Sequence, residues 1–89
     1  MSEYQKVRSA YWGMNIQDIP SNDIEETIFK ILRTGYGYNM ESLFKNTAKY
    51  GYGWQRTGKN IKARFNTVLK RLLNKKKIII DNGIIKIKE

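Results

Sequence analysis

The chain has 89 residues, 40% hydrophobic and 28% charged, with no cysteine and no histidine. That length supports one domain with a small core, and the missing residue types exclude disulfides, thiol nucleophiles, zinc centres built on Cys or His, and imidazole acid–base chemistry. Seventeen basic against eight acidic residues give +9, a balance that favours polyanionic partners, and no apolar run is long enough to cross a membrane.

Residues 2–12 carry Tyr4, Val7, Tyr11 and Trp12 at the spacing of one helical side, which predicts an amphipathic helix ended by Gly13. The opening residues lack the apolar stretch of a signal peptide, so the expectation is a soluble, cytoplasmic protein. Residues 13–21 read as a connector. The predicted division is an N-terminal helix and connector over 1–21 and a folded domain over 22–89.

A second helix is predicted over 22–34. Asn22 or Asp23 caps it, Ile24, Ile28, Ile31 and Leu32 form its apolar face, and Gly35 stops it. The acidic group Asp23, Glu25 and Glu26 answers the dipole of the first turn, a plainer reading than a metal site. Tyr36 to Tyr38 leaves room for one short strand. Asn39 then caps a helix to about Tyr50, with Met40, Leu43 and Phe44 turned inward and Gly51 and Gly53 closing it.

The longest predicted helix covers 58–74, with Thr57 as its cap. Ile61, Phe65, Val68, Leu69, Leu72 and Leu73 make a continuous apolar stripe. Lys59, Asn60, Ala63, Arg64, Thr67, Lys70 and Arg71 lie opposite. Asn82-Gly83 between isoleucine runs is a strong hairpin signal. A two-residue loop pairs Asp81 with Ile84, Ile80 with Ile85, Ile79 with Lys86, Ile78 with Ile87 and Lys77 with Lys88. Ile78, Ile80, Ile85 and Ile87 then share a face that can pack on helices, and Lys77, Lys86 and Lys88 take the other.

Three helices followed by a hairpin give an expected fold that is mostly α (α+β): a winged helix-turn-helix with a three-helix core, a small C-terminal hairpin and an extra N-terminal helix. Charge is divided along the chain. Residues 1–44 hold four basic and six acidic side chains, and residues 45–89 hold thirteen and two. The helix over 58–74 takes the recognition position, where exposed N-terminal residues reach base edges and cations meet phosphates. The candidate nucleic-acid contacts are Arg56, Thr57, Lys59, Asn60, Arg64, Thr67, Lys70 and Arg71, with Lys86 and Lys88 on the wing. Tyr50 and Trp54 are expected to fill the core rather than stack on bases.

The run Gly53…Arg56-Thr57-Gly58…Ile61, with Leu69, Leu72 and Leu73 behind it, resembles the C-terminal winged-helix-like domain of large superfamily 1 helicase–nuclease proteins. The likeness extends over Ile24 to Lys88. It implies a nucleic-acid-associated module and no catalysis. The functional expectation is therefore a non-catalytic protein binding nucleic acid, duplex DNA first, without cofactor or metal. The alternative is a protein–protein or oligomerisation module, with Tyr4, Val7, Tyr11 and Trp12 forming a contact between copies.

Overall fold

The computed structural model describes residues 8–35 and 37–88, an α+β arrangement of three α-helices packed on a three-stranded antiparallel sheet. Helix α1 spans Ser21–Leu32, strand β1 Tyr38–Asn39, helix α2 Met40–Asn46, helix α3 Lys59–Asn74, and strands β2 and β3 Ile78–Asp81 and Ile84–Ile87. Among the described residues no helix is long and apolar enough to cross a membrane.

The N-terminal helix does not form in the part that is described. Residues 8–14 run as coil and turn, while Tyr4 and Val7 lie outside the described residues. Backbone bonds explain the difference. Ser9 N–H donates to the Gly51 carbonyl at 2.8 Å and Gly13 N–H to the Tyr52 carbonyl at 3.0 Å, which ties the segment to the chain beyond α2, while Tyr11 and Trp12 N–H close a turn on Ser9. Tyr11 packs against the core. Trp12 lies over Gly53, which has a φ of +75°, and a Cβ there would come within 2.5 Å of the indole.

Helix α1 starts slightly earlier than its sequence suggests. Pro20, with a φ of −60°, holds the N-cap position, and no side chain caps the helix. Ile24, Ile28, Ile31 and Leu32 are all buried as expected. The helix does not stop on a left-handed Gly35. It ends in tightened turns, where the Thr34 hydroxyl donates to the Ile31 carbonyl at 2.7 Å.

Asn39 caps α2, its side-chain oxygen accepting from Ser42 N–H at 2.8 Å. Regular helix ends at Asn46, short of the expected Tyr50, and Thr47–Gly51 continue as a π-helical turn. The buried Thr47 hydroxyl bonds back to the Leu43 carbonyl at 2.7 Å, a contact that bends helices. The wider turn carries Tyr52 into the core, where it is fully buried and stacked on Trp54 at 4.7 Å. Phe44 and Phe65 meet edge to face at 5.5 Å.

Helix α3 buries Phe65, Val68, Leu69 and Leu72, with Ile61 and Leu73 packed at the margin. Gly58, not Thr57, occupies its N-cap position. At the other end Lys76 N–H donates to Leu73 O at 3.0 Å and Lys77 N–H to Leu72 O at 3.1 Å. Lys76 sits at φ +59°. These two bonds and the left-handed residue make a Schellman closure.

The hairpin has the expected register in all four pairs from Asp81–Ile84 to Ile78–Ile87. Asn82 and Gly83 have φ of +51° and +79°, as a type I′ turn requires. The third strand is Tyr38–Asn39 rather than Tyr36–Tyr38, and it pairs with β3, giving the order β1-β3-β2. Ile78 and Ile85 are buried and Ile87 packs at the core margin, but Ile80 is 45% exposed. β2 is an edge strand, and its burial ends after Ile78.

Candidate functional site

Helix α3 contains no acidic residue, and the whole stretch from Ser42 to Ile80 has eleven basic side chains and none acidic. A helix in contact with the core along one stripe has two flanks and one outward face, and the cations of α3 divide among them.

The first flank faces α1. Arg64 Nη2 donates to the Ile19 carbonyl at 2.9 Å and to Ser21 Oγ at 3.0 Å. Arg64 therefore ties α3 to the start of α1, and the sequence expectation of an outward base-reading side chain is corrected. Two turns further on, Arg71 stands 4.0 Å from Glu25 Oε2, and at the end of the helix Lys75 Nζ donates to Glu25 Oε1 at 2.8 Å. Glu25 is buried, while both cations remain about half exposed. Arg71 is thus shared between the frame and the surface.

The outward face holds Lys59, Ala63, Thr67 and Lys70, all exposed, with Asn60 beside them and exposed Arg56 in the preceding turn. Thr67 Oγ1 donates back to the Ala63 carbonyl at 3.0 Å. The two smallest side chains lie between the lysines, so a ligand can approach the helix closely there. Thr57, half-buried, opens the approach to this face. Arg56, Lys59 and Lys70 form no ion pair among the described residues.

The second flank faces α2 across an open groove of about 840 Å³, lined in part by Met40, Phe44, Lys45, Lys62 and Asn66. Lys62 was not among the sequence candidates. Its position one turn from Lys59 in an acid-free helix was the available signal. A shallower recess of about 330 Å³ on the α1 side includes Ile16, Asn60, Arg64 and Thr67.

Lys86 and Lys88 are not part of this surface. They alternate with the buried Ile85 and the partly buried Ile87, so they belong to the sheet face turned from the helices. The turn tip between β2 and β3 carries Asp81 and no cation.

Asp23, Glu25 and Glu26 diverge to separate partners rather than merely answering the dipole. Asp23 Oδ2 accepts from Ser9 Oγ and from Tyr52 Oη, both at 2.8 Å, and Glu26 pairs with Lys30 at 3.2 Å. Burial pushes the Tyr52 hydroxyl well above its ordinary value of 10.0, and the Asp23 carboxylate adds to the shift, against a lowering contact from Thr27. Tyr52 thus donates as a neutral phenol. Among the described residues no three acidic side chains gather in a metal-holding group.

Compared with known proteins, the chain matches no family model, no curated protein and no solved structure. The resemblance read from Gly53, Arg56, Thr57, Gly58, Ile61 and the leucines of α3 rests on those residues alone.

Proposed function

We propose that the chain is a winged helix-turn-helix that binds nucleic acid without catalysis, duplex DNA first, through the outward face of α3 and the turn before it. The element order helix, strand, two helices and hairpin supports the fold reading, together with the sheet order β1-β3-β2. The observation that carries the functional reading is the outward stripe itself. Lys59 and Lys70 flank Ala63 and Thr67, Arg56 precedes them, and none of these cations is answered within the described chain.

Chemistry follows from that placement. Arg56, Lys59, Lys62 and Lys70 neutralise phosphates, and counterion release supplies the affinity. Asn60 and Lys59, nearest the helix N-terminus, are the side chains placed to reach base edges. Arg64 holds the helix in position from behind. Lys86 and Lys88 contribute through the general field, since their sheet face is turned from the helices.

Filter binding of random duplex DNA and duplex RNA across a salt series tests the reading. With about four phosphates neutralised, log affinity falls against log salt with a slope of about −4. Lys59→Glu with Lys70→Glu should abolish binding and leave the thermal melt unchanged. Failure of both duplexes to bind at low salt overturns the proposal.

A further inference from the structure

The sheet has two edge strands, β1 and β2. Two isoleucines of β2 are uncovered, Ile79 at 42% and Ile80 at 45% exposure. They alternate onto opposite faces of the strand, so no single helix or loop of the chain could cover both. An uncovered edge strand is a template for another strand.

Backbone alternation tells which groups point outward. Lys88 N–H donates to the Lys77 carbonyl at 3.0 Å, which puts those residues at a bonded position of the ladder, with the Lys77 N–H itself turned to the Leu72 carbonyl. Along an antiparallel ladder bonded and non-bonded pairs alternate. Ile79 with Lys86 and Asp81 with Ile84 are therefore bonded pairs, and Ile78 and Ile80 aim their N–H and C=O groups away from β3.

The side chains of this edge form a self-complementary series: Lys77, Ile78, Ile79, Ile80, Asp81. When a second copy is laid antiparallel with Ile79 opposite Ile79, Ile78 meets Ile80 and Lys77 meets Asp81, each twice. This register pairs both outward residues of each copy and makes four backbone bonds. Shifting it by two residues in either direction keeps one bonded pair and removes both Lys77–Asp81 contacts. The ion pairs also fall at non-bonded positions, where facing side chains lie closer.

We propose that β2 is a homodimer interface, joining two copies through antiparallel β2–β2 pairing about Ile79 into one six-stranded sheet. Charge complementarity identifies the occupant. Lys77 and Asp81 are exposed and unpaired among the described residues, and they have opposite signs at the two ends of the strand. Charges placed to block an edge repel a second copy, whereas these attract one in the antiparallel sense and repel one in the parallel sense. Asp81 of the second copy also sets a carboxylate near Lys77 and Lys88, which face each other within the hairpin. The assembly closes at two copies, because it leaves only the two-residue β1 strands at its ends.

Equilibrium sedimentation of the full chain without nucleic acid, from micromolar to millimolar concentration, tests this. Wild type should move from the mass of one chain toward that of two. Lys77→Asp and Asp81→Lys should each remain monomeric alone, because each sets like charges opposite one another. Mixed together, they should rebuild the dimer as a heterodimer, since every facing pair is again Asp with Lys. Far-UV circular dichroism checks that both variants fold, and recovery in the mixture shows it independently. A wild type that stays monomeric, a dimer that survives the single substitutions, or a mixture that fails to associate would each overturn the proposal.

Discussion

In α1 each carboxylate is answered inside the chain. Asp23 takes Ser9 and Tyr52, Glu25 takes Lys75 with Arg71 nearby, and Glu26 takes Lys30. In α3 the charges divide by angle around the helix. Arg64, Arg71 and Lys75 share the flank toward α1 and are engaged there, while Lys59 and Lys70 point outward and find no carboxylate among the described residues. The carboxylates of α1 spend their charge on holding the frame, and Arg64, Arg71 and Lys75 of the basic half join that frame while other cations are left over. Net charge alone therefore overstates the binding surface. The relevant quantity is the cations that remain after the frame has taken its share.

The largest expected effect lies on the frame side of that division. Tyr52→Phe keeps the ring in the core but removes the donor to Asp23 at 2.8 Å and the contact to Thr27 Oγ1 at 3.1 Å. It should cost about 1–3 kcal/mol, the range for leaving buried polar groups unpaired. Urea denaturation measures it. The pH dependence has a definite sign. The folded-state value of Tyr52 is raised above the unfolded value of 10.0, so its contribution is complete below pH 10.0 and is lost as pH rises from there toward the folded value. Wild type should lose stability in alkali more steeply than Tyr52→Phe. Parallel alkaline curves would show that Tyr52 is not the group responsible.

Next in size is the contrast between two cations of α3 that look alike in the sequence. Arg64→Ala removes both bonds to the start of α1 and should destabilise by about 1–2 kcal/mol. Lys70→Ala should leave the melting temperature unchanged and weaken binding to all duplex sequences alike. A stable Arg64→Ala protein with weakened binding would reverse the division and move Arg64 to the outward face.

The isoleucine stripe of α1, the leucine stripe of α3 and the register of the hairpin were legible, because each depends on local periodicity or on a two-residue turn. The partners of the charges were not. Arg64 and Lys70 both lie off the apolar stripe of α3, and only the packing of α1 decides which flank is covered. Tyr52 looked like one of several tyrosines between glycines. Its burial follows from the π-helical turn at Thr47–Gly51, which no sequence period announces. Ile80 shares its face with Ile85 as alternation requires, yet the helices stop short of covering it. Residues 8–12 have helical spacing, but Ser9 and the following Gly13 donate their N–H groups to the chain after α2, and Tyr11 and Trp12 donate theirs to Ser9 in a turn.

The smallest effect concerns the lysine run that ends α3. Lys76 closes the helix at φ +59°, a conformation that costs an ordinary side chain about 1 kcal/mol and glycine little. The sequence offers no glycine there, so the closure was invisible, and three consecutive lysines read simply as charge. Lys76→Gly should raise stability by about 0.5–1 kcal/mol, reduced somewhat by the greater freedom glycine gives the unfolded chain. The same substitution separates the two uses of charge. Lys76 forms no ion pair among the described residues and lies past the end of α3, away from Lys59 and Lys70. If the outward face of α3 alone meets phosphates, the salt slope of duplex binding stays the same in Lys76→Gly while the protein melts higher. If the slope falls by about one unit, Lys76 is itself a phosphate contact and the surface extends beyond the helix into the turn before β2.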